Sequence, residues 1–481
     1  MPISLNDRSD FSLENFRRVA WQGEPVAFTS HCRGVMEEAR RRFLAMLETD
    51  PNLFVYGVTT RYGEGAKTIL DAAGRAEMAK EPAHTTGLGM GEPLPDRVVR
   101  GIILARLANY VEGYSAISPP MAQRVADMLD GRPLPVVPRA GQDASGETAN
   151  LYNLFWHLLG EDCAEKDNNC LVNGSPCAAA LAADSALVAA NRVRLATRVF
   201  ALSADAIGAP LEHFDPALAA LWGDETEGRV LNALTDLLAG GDAAARRTYQ
   251  APVSYRVLPR VLAGAYRAAD RMAGAATTSL RAFTDNPMIL PPDDTHPAGR
   301  AVHNGGFHNG MAYPAMNGLA EAWADLAVLA GIHISKFEMP QVTGLDARLS
   351  AGNPDFGLGF ALDGGQRSHA RRARLLATPT LLSGDLVFIP QTDTTVPTWD
   401  AWEKEREAGE ALDACLTVLS VKASQVLAAN ERLPAPPLRA FLDGVRQLFP
   451  PVTSRRNLEQ EATTLARAFT VACTGGDFAG L

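Results

Sequence analysis

Residues 400–426 read DAWEKEREAGEALDACLTVLSVKASQV. Leu412, Cys415, Leu416, Leu419, Ala423 and Val426 recur at spacings of three and four, which puts them on one face of a 3.6-residue helix. Asp400 is a candidate cap for this helix, and Glu403 three residues on gives a capping-box variant. The same spacing recurs in Leu187, Val188, Leu195, Val199 and Leu202, and again in Leu319, Trp323 and Leu326. Few alternating β-branched runs separate these segments. The expected fold is therefore all-α, a bundle of long helices.

The N-terminal third reads differently. Tyr56-Gly57, Tyr62-Gly63-Glu64-Gly65, Gly87-Leu88-Gly89-Met90-Gly91 and Leu134-Pro135-Val136-Val137-Pro138 punctuate it as loops laid over a scaffold, and loops carry function disproportionately. Further loops are expected at 283–311, 339–364 and 389–399. Residues 1–175 read as a looped, helical portion, and 176–481 as the central long-helix bundle with C-terminal helices. A length of 481 residues alone would suggest about three domains. Neither a repeat nor a low-complexity linker divides the chain, so one large unit is expected instead.

Composition narrows the function classes. With 47% hydrophobic and 21% charged residues, the chain is not wholly disordered. Its 45 basic and 55 acidic residues give a net charge of -10, which argues against a nucleic-acid backbone binder. The first twenty residues lack an apolar signal core, and the Ala-rich run from Cys177 to Ala190 contains Asp184 and is too short to span a membrane. Six cysteines without Cys-x-x-Cys spacing are expected to be buried free thiols in a cytoplasmic protein. His303 and His308 have no Cys, Asp or Glu around them to complete a metal set, so no metal is expected. Gly63-Glu64-Gly65-Ala66-Lys67-Thr68 fails the phosphate-loop spacing, and Gly87-Leu88-Gly89-Met90-Gly91 fails the dinucleotide fingerprint.

Ala144-Ser145-Gly146 admits two readings. A tripeptide of this kind arises by chance in roughly one such chain in five, as an ordinary turn. It can also cyclise on its own backbone, because glycine lets its nitrogen approach the preceding carbonyl. Loss of two waters then yields a methylideneimidazolone, an electrophile.

Six further segments accompany it. Phe54-Val55-Tyr56-Gly57-Val58-Thr59-Thr60 precedes the tripeptide, and Leu171-Val172-Asn173-Gly174-Ser175 follows it. Then come Gln250-Ala251-Pro252-Val253-Ser254-Tyr255-Arg256, Thr284-Asp285-Asn286-Pro287, Asn304-Gly305-Gly306-Phe307-His308-Asn309-Gly310 and Gln391-Thr392-Asp393. In this order the segments resemble the histidine/phenylalanine/tyrosine ammonia-lyase family, from about residue 50 to about 430.

The resemblance implies a homotetrameric lyase, with active sites that draw loops from more than one subunit. It implies release of ammonia from an aromatic or heteroaromatic L-α-amino acid, through a methylideneimidazolone made from Ala144, Ser145 and Gly146. Tyr56 matches the tyrosine that takes the β-proton. A phenol acting near neutrality needs help to carry charge, which points to a cationic neighbour such as Arg61. Arg256 matches the arginine on the substrate carboxylate, a task suited to a planar guanidinium. Asn173 and Gln250 match amides that polarise the electrophile's carbonyl, Phe307 would lie near the electrophile, and Gln391 matches the late site glutamine. His84, in Ala83-His84-Thr85-Thr86-Gly87, aligns with the stretch that touches the substrate side chain. Asp285 and Asn286 read as a structural turn before Pro287.

The chain departs from the family pattern in places. Gly141-Gln142-Asp143 and Glu147-Thr148 flank the tripeptide where the family has Gly-Ser-Val-Gly and Asp-Leu. Val253 replaces a second tyrosine, with Tyr255 two residues away, and the order around Phe307 is rearranged. Three other activities fit the same segments: a 2,3-aminomutase, an electrophile-independent expulsion of trimethylamine from a histidine betaine, and a catalytically silent scaffold.

Overall fold

The structure, a computed structural model, describes residues 2–50, 52–80, 89–140, 145–160, 162–384 and 393–480, with Glu64 described by its backbone alone. Two compact units emerge. One comprises Met1–Ser185, Met272–Pro314 and Thr380–Trp402; the other comprises Ala186–Arg271, Ala315–Pro379 and Glu403–Leu481. Four of the five boundaries fall inside long helices, Pro176–Ala206, Leu258–Arg281, Ala312–Phe337 and Thr398–Ala429, and the fifth, at Pro379, follows the Asp363–Leu376 helix. Among the described residues the strands form only three two-stranded ribbons, each strand of three or four residues. The all-α class expected from the sequence is what the chain adopts.

In the first unit, the Ser30–Thr49 helix starts where the Thr29 side chain accepts a hydrogen bond from the Cys32 amide. Its buried residues Cys32, Met36, Phe43, Met46 and Leu47 keep helical spacing. Phe43, Met46 and Leu47 pack with Val55, Val58, Ala116 and Ile289. Val55 and Val58 flank Tyr56, so their burial, worth about 1.5–3 kcal/mol each, pins the turn that carries it. The Asp96–Leu107 helix is buried from Val98 onward. It includes Arg100, which donates to the carbonyls of Val19, Glu24 and Leu129, and Arg106, which serves the site described below.

In the second unit the Thr398–Ala429 helix is buried almost all round from residue 411 to residue 427. Leu412, Cys415, Leu416, Leu419, Ala423 and Val426 are buried, but so are Asp413, Thr417, Ser420, Lys422 and Gln425 between them. The polar ones all find partners: Thr417 and Ser420 donate to carbonyls of their own helix, and Gln425 donates to the Leu349 carbonyl. Asp413 takes a two-pronged hydrogen bond from Arg192 at 3.0 Å on each arm, and Lys422 lies between Glu338 and Asp363. One expectation fails here. The helix begins at Thr398, two residues before Asp400, which therefore sits within the first turn and not at the cap. An acid there still favours the helix dipole. Asp167–Ala206 and Thr398–Ala429 are long and apolar enough to cross a membrane, but 89% of each apolar window is buried inside the protein, as in core helices. All six cysteines are free and buried, as the sequence suggested.

Candidate active site

A cavity of about 550 Å³ in the first unit is lined by Phe54, Tyr56, Gly63, Ala66, Ser145, Gly146, Glu147, Thr148, Val172, Asn173, Gly174, Asn286, His303, Asn304 and Phe307. Five of the segments read from the sequence thus meet at one place. His84, Ala144 and Gln391 lie outside the described residues. Gln250 and Arg256 belong to the second unit.

Tyr56 sits in a turn closed by its neighbours. The Thr59 hydroxyl donates to the Leu53 carbonyl at 2.6 Å and accepts from the Val55 amide at 2.7 Å. Gly57 has φ +71°, and a Cβ there would stand 2.4 Å from the Tyr62 ring, so only glycine fits. The Tyr56 hydroxyl accepts from the Gly63 amide at 3.1 Å. Such a donor supports negative charge on that oxygen. Arg61, the cation suggested by the sequence, is exposed; the donor placed on the phenol is a backbone N–H. Tyr62 packs edge-on against Tyr56 with ring centroids 5.7 Å apart. Burial, then the nearby phenols Tyr152 and Tyr56, push its own phenol well above the usual tyrosine range.

Ser145 is half-buried, and its hydroxyl is sealed from solvent with no hydrogen-bond partner among the described residues. Phe307 lies beside Gly146: a Cβ built there would be 3.6 Å from its ring. Glu147 is fully buried. Its carboxyl accepts from the amides of Cys177 and Ala178, at 2.6 and 2.7 Å, at the start of the Pro176–Ala206 helix. Desolvation pushes Glu147 up to about 8, against the pull of those amides.

Asn173 follows the Asp167–Val172 helix. Its side-chain carbonyl is used twice, accepting from the Gly174 amide at 2.8 Å and the Asn286 amide at 2.9 Å. Its NH2 is therefore the group left for a ligand. Asn286 in turn accepts from the Asn304 amide, and Asn304 from the Gly306 amide. The Thr-Asp-Asn-Pro segment, read as a turn, thus ties two cavity loops together. Below it the fully buried Arg106 pairs with Asp285 and donates to the Asn173 carbonyl. Sequence reasoning missed Arg106 and gave no site role to Glu147, His303 or Asn304. Arg106, Glu147 and His303 act through residues far away in the chain, where no motif can show them.

Val253 to Arg256 form a single helical turn in the second unit. Tyr255 is fully buried, stacked on His333 with centroids 3.7 Å apart and within 3.2 Å of the Ser203 hydroxyl. It therefore fills the core and does not stand in for the tyrosine that Val253 replaces; Val253 is 60% exposed. Gln250 is exposed. The Arg256 Nε is sealed without a hydrogen-bond partner among the described residues.

A profile of the aromatic amino acid lyase family matches residues 11–168 and 162–447. Histidine ammonia-lyase of Symbiobacterium thermophilum is 26% identical over 443 residues, covering 86% of each chain. That of Gloeobacter violaceus is 26% identical over 498 aligned residues, covering 95% of this chain and 93% of the other. Ergothionase from Treponema denticola superimposes with a TM-score of 0.87 at 18% identity, over 99% of this chain and 100% of that one. Tyrosine aminomutase from Streptomyces globisporus gives 0.85 at 20% identity, over 98% and 97%. Histidine ammonia-lyase from Trypanosoma cruzi gives 0.83 at 18%, over 98% and 94%. Identities this low speak for a shared fold. With the family profile spanning most of its length, the chain belongs to the aromatic amino acid lyase family and is by that membership a carbon–nitrogen lyase.

Proposed function

We propose that the protein is an ammonia-lyase that converts an aromatic or heteroaromatic L-α-amino acid to its α,β-unsaturated acid. Ala144, Ser145 and Gly146 would form a methylideneimidazolone, and Tyr56 would be the base. The observation that carries this reading is the one cavity shared by Tyr56, Ser145, Gly146, Asn173 and Phe307. Ser145 fits the cyclisation physically: its sealed hydroxyl holds no hydrogen bond to a described residue, so its loss as water deserts none of them. Once formed, the group supplies an electrophilic carbon for the substrate amine and so improves a poor leaving group.

The chain's own residues account for the rest. Tyr56 Oη removes a β-proton, the freed electron pair becomes the Cα–Cβ double bond, and nitrogen departs with the C–N pair. The Gly63 amide holds the phenol oxygen while it cycles between charged and neutral. Asn173 and Gln250 would hold the carbonyl of the group, and Phe307 its flank. Arg256 would take the substrate carboxylate, and an Nε with no partner among the described residues supports a guanidinium kept ready for one. His84 would touch the substrate ring, and Gln391 would line the site. The assembly proposed is a homotetramer in the cytoplasm, with Gln250 and Arg256 supplied by another copy. Exposure of Tyr249 and Val253 beside them, both about 60%, supports a covered surface there.

Intact mass tests the reading. The purified protein should weigh two waters less than its sequence, and Ser145→Ala should lose both the deficit and ammonia release. Full mass with trimethylamine released from a histidine betaine would replace this reading, and a β-amino acid product would turn it into an aminomutase.

A further inference from the structure

His303 lines the cavity, yet the reading above gives it no task. Its Nε2 accepts the Tyr56 amide at 3.1 Å. A neutral imidazole that accepts through one nitrogen carries its proton on the other. Neutrality is favoured: partial desolvation, and next the Lys166 ammonium, hold its pKa below the ordinary histidine value. Nδ1–H is thus the one polar hydrogen His303 has to offer. It is neither paired with a described residue nor sealed in the protein.

The surroundings suit a flat ring. Phe54 packs on His303 with centroids 4.9 Å apart and planes at 56°. Phe307, Ala66 and Val172 add apolar lining to the same cavity. A charged carboxylate would be poorly placed against these walls, and Arg256 is already assigned to it. We propose that His303 is a specificity residue that donates from Nδ1 to an acceptor on the substrate ring, an imidazole nitrogen or a phenol oxygen. This rests on the lyase reading and narrows its substrate class to rings that carry an acceptor. The bond to the Tyr56 amide fixes His303 relative to the base, so ring recognition and proton removal share one frame.

Two measurements test this. The first is the kcat/KM ratio of L-histidine and L-tyrosine to L-phenylalanine. The second is calorimetric binding of 3-(imidazol-4-yl)acrylate, 4-hydroxycinnamate and cinnamate. Both are run on the wild type, His303→Phe and His303→Gln. The wild type should prefer at least one acceptor-bearing ring. His303→Phe keeps an aromatic ring in place but has no donor, and should cut that preference about tenfold or more, as loss of one buried hydrogen bond does. His303→Gln, which retains an acceptor and a donor, should recover part of it. An unchanged preference in both variants overturns the proposal, as does a wild type without ring preference. If no amino acid releases ammonia, the lyase reading fails on its own, and the binding preference still decides the role of His303.

Discussion

At the scale of single residues, Tyr56 shows how much a motif can and cannot tell. The tyrosine and its place in the cavity were legible from Tyr56-Gly57-Val58-Thr59-Thr60. The means of supporting its charge was not. The sequence offered Arg61 as a positive neighbour; the fold also brings up a backbone N–H, which no side chain in the sequence announces. Tyr255 teaches the same lesson. Two residues from the missing tyrosine looks close in sequence, but in a single helical turn it reverses the direction of the side chain, and Tyr255 enters the core. The prediction at this scale follows from the proposed base. Tyr56→Phe should lower kcat by about 10²–10⁴ while the intact mass keeps its two-water deficit. Turnover within a few-fold of the wild type would remove Tyr56 from the role of base.

At the scale of elements, two positions where a loop meets a helix can be tested. Gly174 follows Asn173 with φ +82°, and a Cβ there would stand 2.7 Å from the Thr284 hydroxyl. Gly174→Ala is therefore expected to cost about 1–3 kcal/mol, read as a lower midpoint in denaturant, and to raise KM by displacing Asn173. An unchanged midpoint would contradict the strain. Glu147 gives a pH dependence. Its folded pKa of about 8 lies above the ordinary 4.5, so the fold favours the protonated acid. The resulting stability is fully present below pH 4.5 and is lost as pH rises through 8. Glutamine does not titrate, so the melting temperature of the wild type should fall relative to that of Glu147→Gln as pH rises from 5 to 8 and level off above it. A constant gap would mean that burial does not hold the proton. The helices themselves were the most legible part of the chain, because a period of three to four over many turns has few other readings. What the periodicity missed was depth. Asp413, Lys422 and Gln425 look like the solvent face of an amphipathic helix, and are buried because other helices and loops supply their partners.

At the scale of the whole molecule, the proposed site needs residues scattered from Tyr56 to Gln391. Tyr56, Ser145 and Asn173 line one cavity of the first unit, whereas Gln250 and Arg256 are carried by the second. If another copy supplies the latter pair, the two halves of the site are separable by genetics. Tyr56→Phe removes the proton acceptor and Arg256→Met removes the carboxylate partner, so each variant alone should be nearly inactive. Unfolding the two together and refolding them mixed would distribute the subunits at random in a closed, symmetric assembly. A site that draws its tyrosine from one chain and its arginine from another is then intact whenever the first comes from the Arg256→Met subunit and the second from the Tyr56→Phe subunit. Each condition holds half the time, so activity should return to roughly a quarter of that of wild-type protein refolded the same way. A site completed within one chain predicts a different outcome. Every hybrid chain then still carries one of the two lesions, and no mixture recovers activity. Recovery near a quarter would support the shared site, and its absence from a correctly reassembled mixture would confine each site to a single chain.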